Sequence, residues 1–231
     1  MASRFLFVQL LYLLFTASAH DAGAESGTGA LSSVGRLQVP AQRFSEGYAR
    51  HYDERCSATL VSTDPRAVRS DLILSAWHCL EDYRDLSRPV VFEAASGHRV
   101  QARLLASGGG MHSDWALLRL ATPLARPAHL GSEYEYAGRS LMMAGYPLQS
   151  LNAEKQLTTA SGCRVTGVAG HDLRSDCVLQ KGASGGGVFS ATAGGAYLGV
   201  ISRGDGASQS IFVPASRFHA RVLRFFPELL R

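Results

Sequence analysis

Short runs of β-forming residues, each closed by a turn signal, limit the folds open to this chain more than any other feature. They are Leu72–Trp77, Val90–Glu93, Arg99–Leu105, Ala116–Leu120, Leu141–Ala144, Gly186–Phe189, Tyr197–Ser202 and Ile211–Val213. Between them stand Gly108–Gly110, Tyr146-Pro147, an Ala-Gly-Gly and Gly204-Asp205-Gly206. Helical spacing is clear only at the end. From Ala215, the apolar residues Phe218, Val222, Phe225 and Phe226 fall on one face, and Pro227 limits the run. No internal repeat interrupts this pattern. Many short strands and one terminal α-helix predict an all-β barrel or sandwich protein. At 231 residues and 46% hydrophobic, the chain is long enough to bury a core and too apolar for disorder.

The chain carries 23 Lys and Arg against 19 Asp and Glu, a formal charge of +4. Only Lys155 and Lys181 are lysines, and the arginines are scattered singly among acids. No basic stripe forms, so no nucleic-acid partner is expected.

Residues 1–19 read as a signal peptide: Arg4, the apolar run Phe5–Phe15 broken by Gln9, then Ala17-Ser18-Ala19. The run is shorter than the roughly 20 residues of a membrane span. A cut before His20 is expected, giving a secreted or periplasmic protein free of the membrane. Residues 20–33 are small, polar and Gly-rich, a flexible leader or pro-segment, and order is expected from Val34.

Cysteine usage agrees with export. Cys56, Cys79, Cys163 and Cys177 allow three pairings, and local order favours Cys56–Cys79 and Cys163–Cys177. Each would close a short loop, worth on the order of 3 kcal/mol. There is no C-x-x-C and no His at finger spacing, so neither a metal nor another cofactor is expected.

Three segments carry candidate chemistry. In Lys181-Gly182-Ala183-Ser184-Gly185-Gly186-Gly187, a Ser between glycines can expose its hydroxyl on a tight turn. Flanking backbone N–H groups can then converge on one point, as an oxyanion needs. In Leu72-Ile73-Leu74-Ser75-Ala76-Trp77-His78-Cys79, an apolar strand delivers a His beside a half-cystine. In Ser113-Asp114-Trp115-Ala116-Leu117-Leu118-Arg119-Leu120, an Asp heads an apolar strand. Singly these fit a Gly-rich turn, a core His and a solvated cap. Together, the chain order His, Asp, Ser is one of the orders in which serine-hydrolase triads occur.

With these residues the chain resembles the trypsin-like (chymotrypsin-fold) serine proteases from about Val34 to its C-terminus. Ser75-Ala76-Trp77-His78-Cys79 is similar to that family's Thr-Ala-Ala-His-Cys, and Asp114-Trp115-Ala116-Leu117-Leu118 to its Asp-Ile-Ala-Leu-Leu. Gly182-Ala183-Ser184-Gly185-Gly186 stands where the family has Gly-Asp-Ser-Gly-Gly. Leu198–Gly204 resembles the strand that binds substrate backbone, and Cys56-Ser57-Ala58-Thr59-Leu60 also matches, supporting the Cys56–Cys79 pair.

The resemblance implies two six-stranded antiparallel β-barrels within residues 34–231, meeting near residues 123–137, with a C-terminal α-helix. It implies a monomeric endopeptidase acting on protein or peptide substrates. Ser184 would be the nucleophile, His78 the general base and Asp114 its orienting partner, with the N–H groups of Gly182 and Ser184 as oxyanion hole. Val178–Gln180, Ser202–Gly204 and a position near Ser210 would line the pocket for the residue before the scissile bond. No carboxylate stands at Val178, so small or apolar residues are expected there, and cleavage after Arg or Lys is not. Two further readings remain: an inactive trypsin-like domain that serves as a secreted binding module, and an esterase acting on non-peptide acyl groups.

Three departures matter. Ala183 stands where vertebrate digestive relatives carry an acid that pairs with a newly cut N-terminus. The family's Ile-Val-Gly-Gly start is also missing; Val34-Gly35-Arg36-Leu37 stands there. Activation by that cut is therefore not expected, and the chain more resembles bacterial exported members. Gly187 replaces a usual Pro, and is expected to loosen the loop.

N-terminal sequencing of the exported protein is expected to begin at or next to His20. A mature chain that retains Phe5–Phe15 would show the signal reading to be wrong.

Overall fold

The computed structural model describes residues 29–131, 136–148, 156–192 and 195–226. The signal segment, residues 20–28 of the leader, residues 132–135 of the expected boundary and Pro227 lie outside them. Folded structure precedes Val34: residues 29–33 form a helical turn that buries Ala30 and Ser33.

The first sheet is built from β1 (Val34–Ser45), β2 (Tyr48–Ser62), β3 (Arg69–Ser75), β4 (Val90–Glu93), β5 (Arg99–Ser107) and β6 (Ala116–Ala125). Its order is β1-β4-β5-β6-β3-β2, and β1 pairs again with β2, which closes a six-stranded barrel. A two-residue strand, β7 (Ala128–His129), adds in parallel to β2. The burial patterns explain the choice of strands. In β3 and β6, the successive residues Leu72-Ile73-Leu74 and Ala116-Leu117-Leu118 are all buried. Neighbours on a strand point to opposite faces, so both faces of these strands are covered. β5 instead begins with alternating exposed and buried residues, as a strand with one wet face does.

The second sheet contains β8 (Leu141–Gly145), β9 (Thr158–Cys163), β10 (Val165–Ala169), β11 (Asp172–Ser175), β12 (Gly187–Ser190), β13 (Tyr197–Gly204) and β14 (Ser210–Pro214). Its order is β10-β11-β14-β13-β12-β8-β9. The fold is therefore mostly β, as the sequence predicts, but the second unit is a curled half-barrel rather than a closed six-stranded barrel. Its end strands β9 and β10 follow one another in the chain yet do not pair with each other among the described residues. The chain passes from one sheet to the other between β7 and β8.

The two sheets share a core. Apolar residues of the first barrel pack into one cluster with Phe189, Tyr197, Val200 and Val213 of the second. The terminal segment is a 3-10 turn at Ala215–Arg217, a short α-helix at His219–Val222 and another 3-10 turn at Leu223–Phe225. It returns to the first barrel. Phe218, fully buried, stacks on Trp115 with ring centroids 5.4 Å apart, and Arg221 lies over the indole. Both disulfides expected from local order are present, Cys56–Cys79 and Cys163–Cys177.

Trp115 directly follows Asp114, so the Phe218 contact supports the site as well as the core. Phe218→Ala is expected to destabilise the protein by about 3–5 kcal/mol, from lost burial and the cavity left behind. Chemical denaturation of the purified variant measures this; a change below about 1 kcal/mol would refute a packing role for this ring.

Candidate active site

Each candidate side chain is delivered by a break in regular structure. β3 ends at Ser75, and the chain turns into a 3-10 helix, Trp77–Leu80, that carries His78. Cys79 in that turn is tied to Cys56 on β2. Asp114 sits just before β6, after a Gly-rich turn in which Gly110 and Ser113 form an isolated bridge. Ser202 is the extra residue of a β-bulge: Ile201 pairs with Phe212 and Arg203 with Ile211, which leaves Ser202 without a partner on β14. Ser184 lies in the turn that leads into β12.

Asp114 is fully buried, and its carboxylate is surrounded by donors. Oδ1 accepts the backbone N–H of His78 at 2.9 Å. Oδ2 accepts from His78 Nδ1 at 2.8 Å and from the Ser202 hydroxyl at 2.5 Å. Burial pushes the carboxyl pKa up, but the hydrogen bond from His78, the charge of its imidazolium and the Ser202 hydroxyl outweigh it. The group ends below the usual carboxylate range. The stabilisation that follows from a depressed pKa is present above the unfolded value and is lost as pH falls through the folded one. Asp114 thus stays ionised to unusually low pH, and the Nδ1 proton of His78 is held in place.

Ser184 and His78 line the same cleft, of about 360 Å³. The Ser184 hydroxyl donates to the Ser202 carbonyl at 3.2 Å rather than to the imidazole. The Gly-rich loop around it is held at every peptide plane. In a trans peptide the C=O and the N–H point to opposite sides, so a fixed carbonyl also aims the next amide. Lys181 C=O accepts from Leu148 N–H at 2.6 Å, which turns Gly182 N–H the other way. Ala183 C=O accepts from Gly186 N–H at 2.9 Å, which does the same for Ser184 N–H. Neither Gly182 N–H nor Ser184 N–H donates to a described residue. Gly182 has φ +96°, and a Cβ there would sit 2.3 Å from the Leu148 nitrogen, so both conformation and space require glycine.

Ala183 is buried against Gly145, with no charge for an N-terminal amine to meet. Gly187 behaves differently from the sequence expectation. It is the first residue of β12, paired on both sides, and a Cβ would meet the Phe189 ring at 2.4 Å. Close packing, not looseness, accounts for this glycine.

Of the expected pocket residues, Ser202, Gly204 and Ser210 line the cleft, and Gly204 faces Ser210 across β13 and β14. Val178 does not line it. It lies between buried Cys177 and buried Leu179 and is itself 38% exposed. Leu179 and Gln180, expected with it, do line the cleft, as does Arg203. Sequence reasoning passed over Asp172, buried between Arg203 and Arg217, which it contacts at 3.5 and 2.8 Å. Arg203 in turn donates to the Ser202 hydroxyl oxygen at 3.1 Å, so this ion cluster backs the site. No local motif marks it, because its members come from β11, β13 and the terminal segment.

Cys56, His78 and Cys79 bring potential metal-ligating atoms within 4.8 Å of one another. Both sulfurs are bonded to each other, so the group offers no thiolate. Among the described residues, no helix is long and apolar enough to cross a membrane.

The fold is shared with known proteins. Among solved structures, the thermostable serine protease AL20 from an extremophilic microorganism matches 85% of this chain and 97% of its own, with TM-score 0.64 and 18% identity. Protease Anisep from Arthrobacter nicotinovorans matches 80% of this chain and 91% of its own, with TM-score 0.60 and 21% identity. The Rv3671c protease from M. tuberculosis, in its active form, matches 86% and 82%, with TM-score 0.64 and 15% identity. At these identities the likeness is one of fold. No curated protein matches by sequence. The family model of the trypsin-like peptidase domain matches residues 56–200, which include His78, Asp114 and Ser184. With most of its length under that match, and the two-sheet fold around the cleft, the chain belongs to the trypsin-like peptidase family.

Proposed function

We propose that the protein is a secreted serine endopeptidase working through Ser184, His78 and Asp114. The observation that carries this reading is the buried Asp114 carboxylate, which grips both the backbone N–H and Nδ1 of His78 beside Ser184 in one cleft.

The chemistry follows from those positions. Rotation about the Ser184 Cα–Cβ bond exchanges the Ser202 carbonyl for the imidazole. Neutral His78 takes the hydroxyl proton as Ser184 Oγ bonds to the substrate carbonyl carbon. Asp114 stabilises the imidazolium so formed. Gly182 N–H and Ser184 N–H, which have no described partner, receive the oxyanion. The imidazolium then protonates the leaving amine, the C–N bond breaks, and Ser184 is acylated. Water, deprotonated by His78, releases the acyl group and restores the hydroxyl. Leu179, Ile201 and Gly204 on the cleft wall favour a small or apolar side chain before the scissile bond. The two disulfides fit an exported protein. A binding module without catalysis is the alternative, and the Ser184 hydroxyl resting on Ser202 is what favours it.

A fluorophosphonate probe should label the wild-type protein at Ser184; absence of labelling, with no peptide or ester turnover, would favour the binding module. Ser184→Ala and His78→Ala should each remove most peptide hydrolysis, and the double variant should lose little more. Asp114→Asn should lower turnover by about 10⁴ at neutral pH, because an amide supports the wrong imidazole tautomer. Asp82, which holds Arg43 and Tyr52, and Asp85, which holds Ser87, supply controls. Asn at either should leave turnover nearly unchanged, and loss there with retention in Asp114→Asn would overturn the assignment.

Activity should fall on acidification, because a protonated imidazole cannot take the Ser184 proton. Asp114, held below the usual carboxylate range, should protonate only at still lower pH. A pH–rate profile on the folded enzyme tests this; activity that rises toward acid pH would contradict it.

A further inference from the structure

Two amides without a described partner lie in a loop where Ala183, and not an acid that could pair with an amine, precedes Ser184. The restraints come from hydrogen bonds: Ile201 takes the Gly185 N–H and gives its own N–H to the Gly186 carbonyl, and Ser57 holds the carbonyls of Gly182 and Ser184. It is fully buried on β2, in the first barrel, directly after Cys56. Its N–H donates to the Ser184 carbonyl at 2.7 Å. Its hydroxyl accepts the Tyr146 N–H at 2.7 Å and lies 2.9 Å from the Gly182 carbonyl. A serine hydroxyl has one proton. The Tyr146 amide takes a lone pair, and the proton goes to Gly182 C=O. Ser57's own carbonyl is fixed by the Ser75 hydroxyl at 2.8 Å, so the residue is anchored within its own barrel.

We propose that Ser57 is a positioning residue for the oxyanion hole, taking the part that an ion pair at Ala183 cannot. The proposal rests on the serine-protease reading above. Ser57 holds the peptide planes on both sides of the Ser184 amide: Gly182–Ala183 through its hydroxyl and Ser184–Gly185 through its N–H. The second bond is open to any non-proline residue. The first requires a hydroxyl. Gly182 has no Cβ and sits at positive φ, so its backbone could adopt other orientations at little cost. A peptide reversed at this point would bring a carbonyl oxygen toward the developing negative charge. Ser57 prevents this by binding Gly182 C=O on the far side. The amides are then aimed before substrate arrives, and need not reorganise during reaction.

The test compares wild type with Ser57→Ala, Ser57→Thr and Ser57→Val, in the disulfide-intact mature protein. Thr and Val share a shape and differ in the hydroxyl. Sites are counted by fluorophosphonate titration, and hydrolysis of p-nitrophenyl acetate is followed per titrated site. Loss of the hydroxyl should slow acylation and deacylation together by about 10- to 100-fold, because each passes through an oxyanion. The acid limb of the pH profile should stay in place, because His78 and Asp114 are untouched. Ser57→Thr should keep most of the wild-type rate. Wild-type rates in Ala or Val, or a Thr variant as slow as Val, would overturn the proposal. So would the failure of every hydroxyl-free variant to fold, which would make Ser57 a clamp of the barrels and not of the hole. A wild type that neither labels nor turns over would instead remove the protease reading itself.

Discussion

A carboxylate with no access to water governs how this molecule is assembled. Burying the Asp114 charge is tolerable only because three donors reach it, and they come from distant parts of the chain. Two belong to the turn after β3, and the third to the bulge in β13. The first barrel and the second sheet must therefore be docked for the charge to be satisfied. Breaking such a cluster by removing a partner leaves an uncompensated buried ion, a loss of about 3–5 kcal/mol. The same geometry fixes the imidazole ring. Docking of the sheets and preparation of the general base are one event.

Around this anchor, the site is made of departures from regular structure. A 3-10 turn presents His78, a bulge frees Ser202 from its ladder, and a glycine at positive φ turns the loop before Ser184. Each is held by neighbours in regular structure: the Cys56–Cys79 bridge, the β12 pairing on both sides, and Trp115 packed under Phe218. Two backbone amides are left without described partners in a loop where the surrounding peptide groups are bonded. Leaving donors unused costs free energy, and such sites persist only where the rest of the structure over-determines them.

The strands legible in the sequence were those with apolar runs or clean alternation. Leu72–Leu74 in β3, Ala116–Leu120 in β6 and Tyr197–Ser202 in β13 stand out because packing covers them. The β1–β2 hairpin was not seen, although it is the longest pairing in the molecule. Pro40 lies inside β1, and the far half of β2 is mostly exposed and charged, so neither reads as a strand. β9, β10 and β11 were missed because they are short and carry no run of buried apolar residues, and they are strands because neighbours pair with them. The pocket shows the same limit at one residue. The sequence marks Val178–Gln180 as one wall, and only the fold separates Leu179 and Gln180, which line the cleft, from Val178, which does not.

The amino-acid sequence alone determined the mostly β class and the three segments bearing His78, Asp114 and Ser184, and it favoured one of three cysteine pairings, the one found. These depend on local patterning and on short spans of chain. Tertiary structure alone decided that the second sheet stays open, that Gly187 answers to Phe189, and that Asp172 sits between Arg203 and Arg217 behind Ser202. It also decided that the Ser57 hydroxyl meets Gly182, 125 residues further along the chain. The physical reason is range. A hydrogen bond acts over about 3 Å, and which groups come that close is settled only when the two sheets pack together.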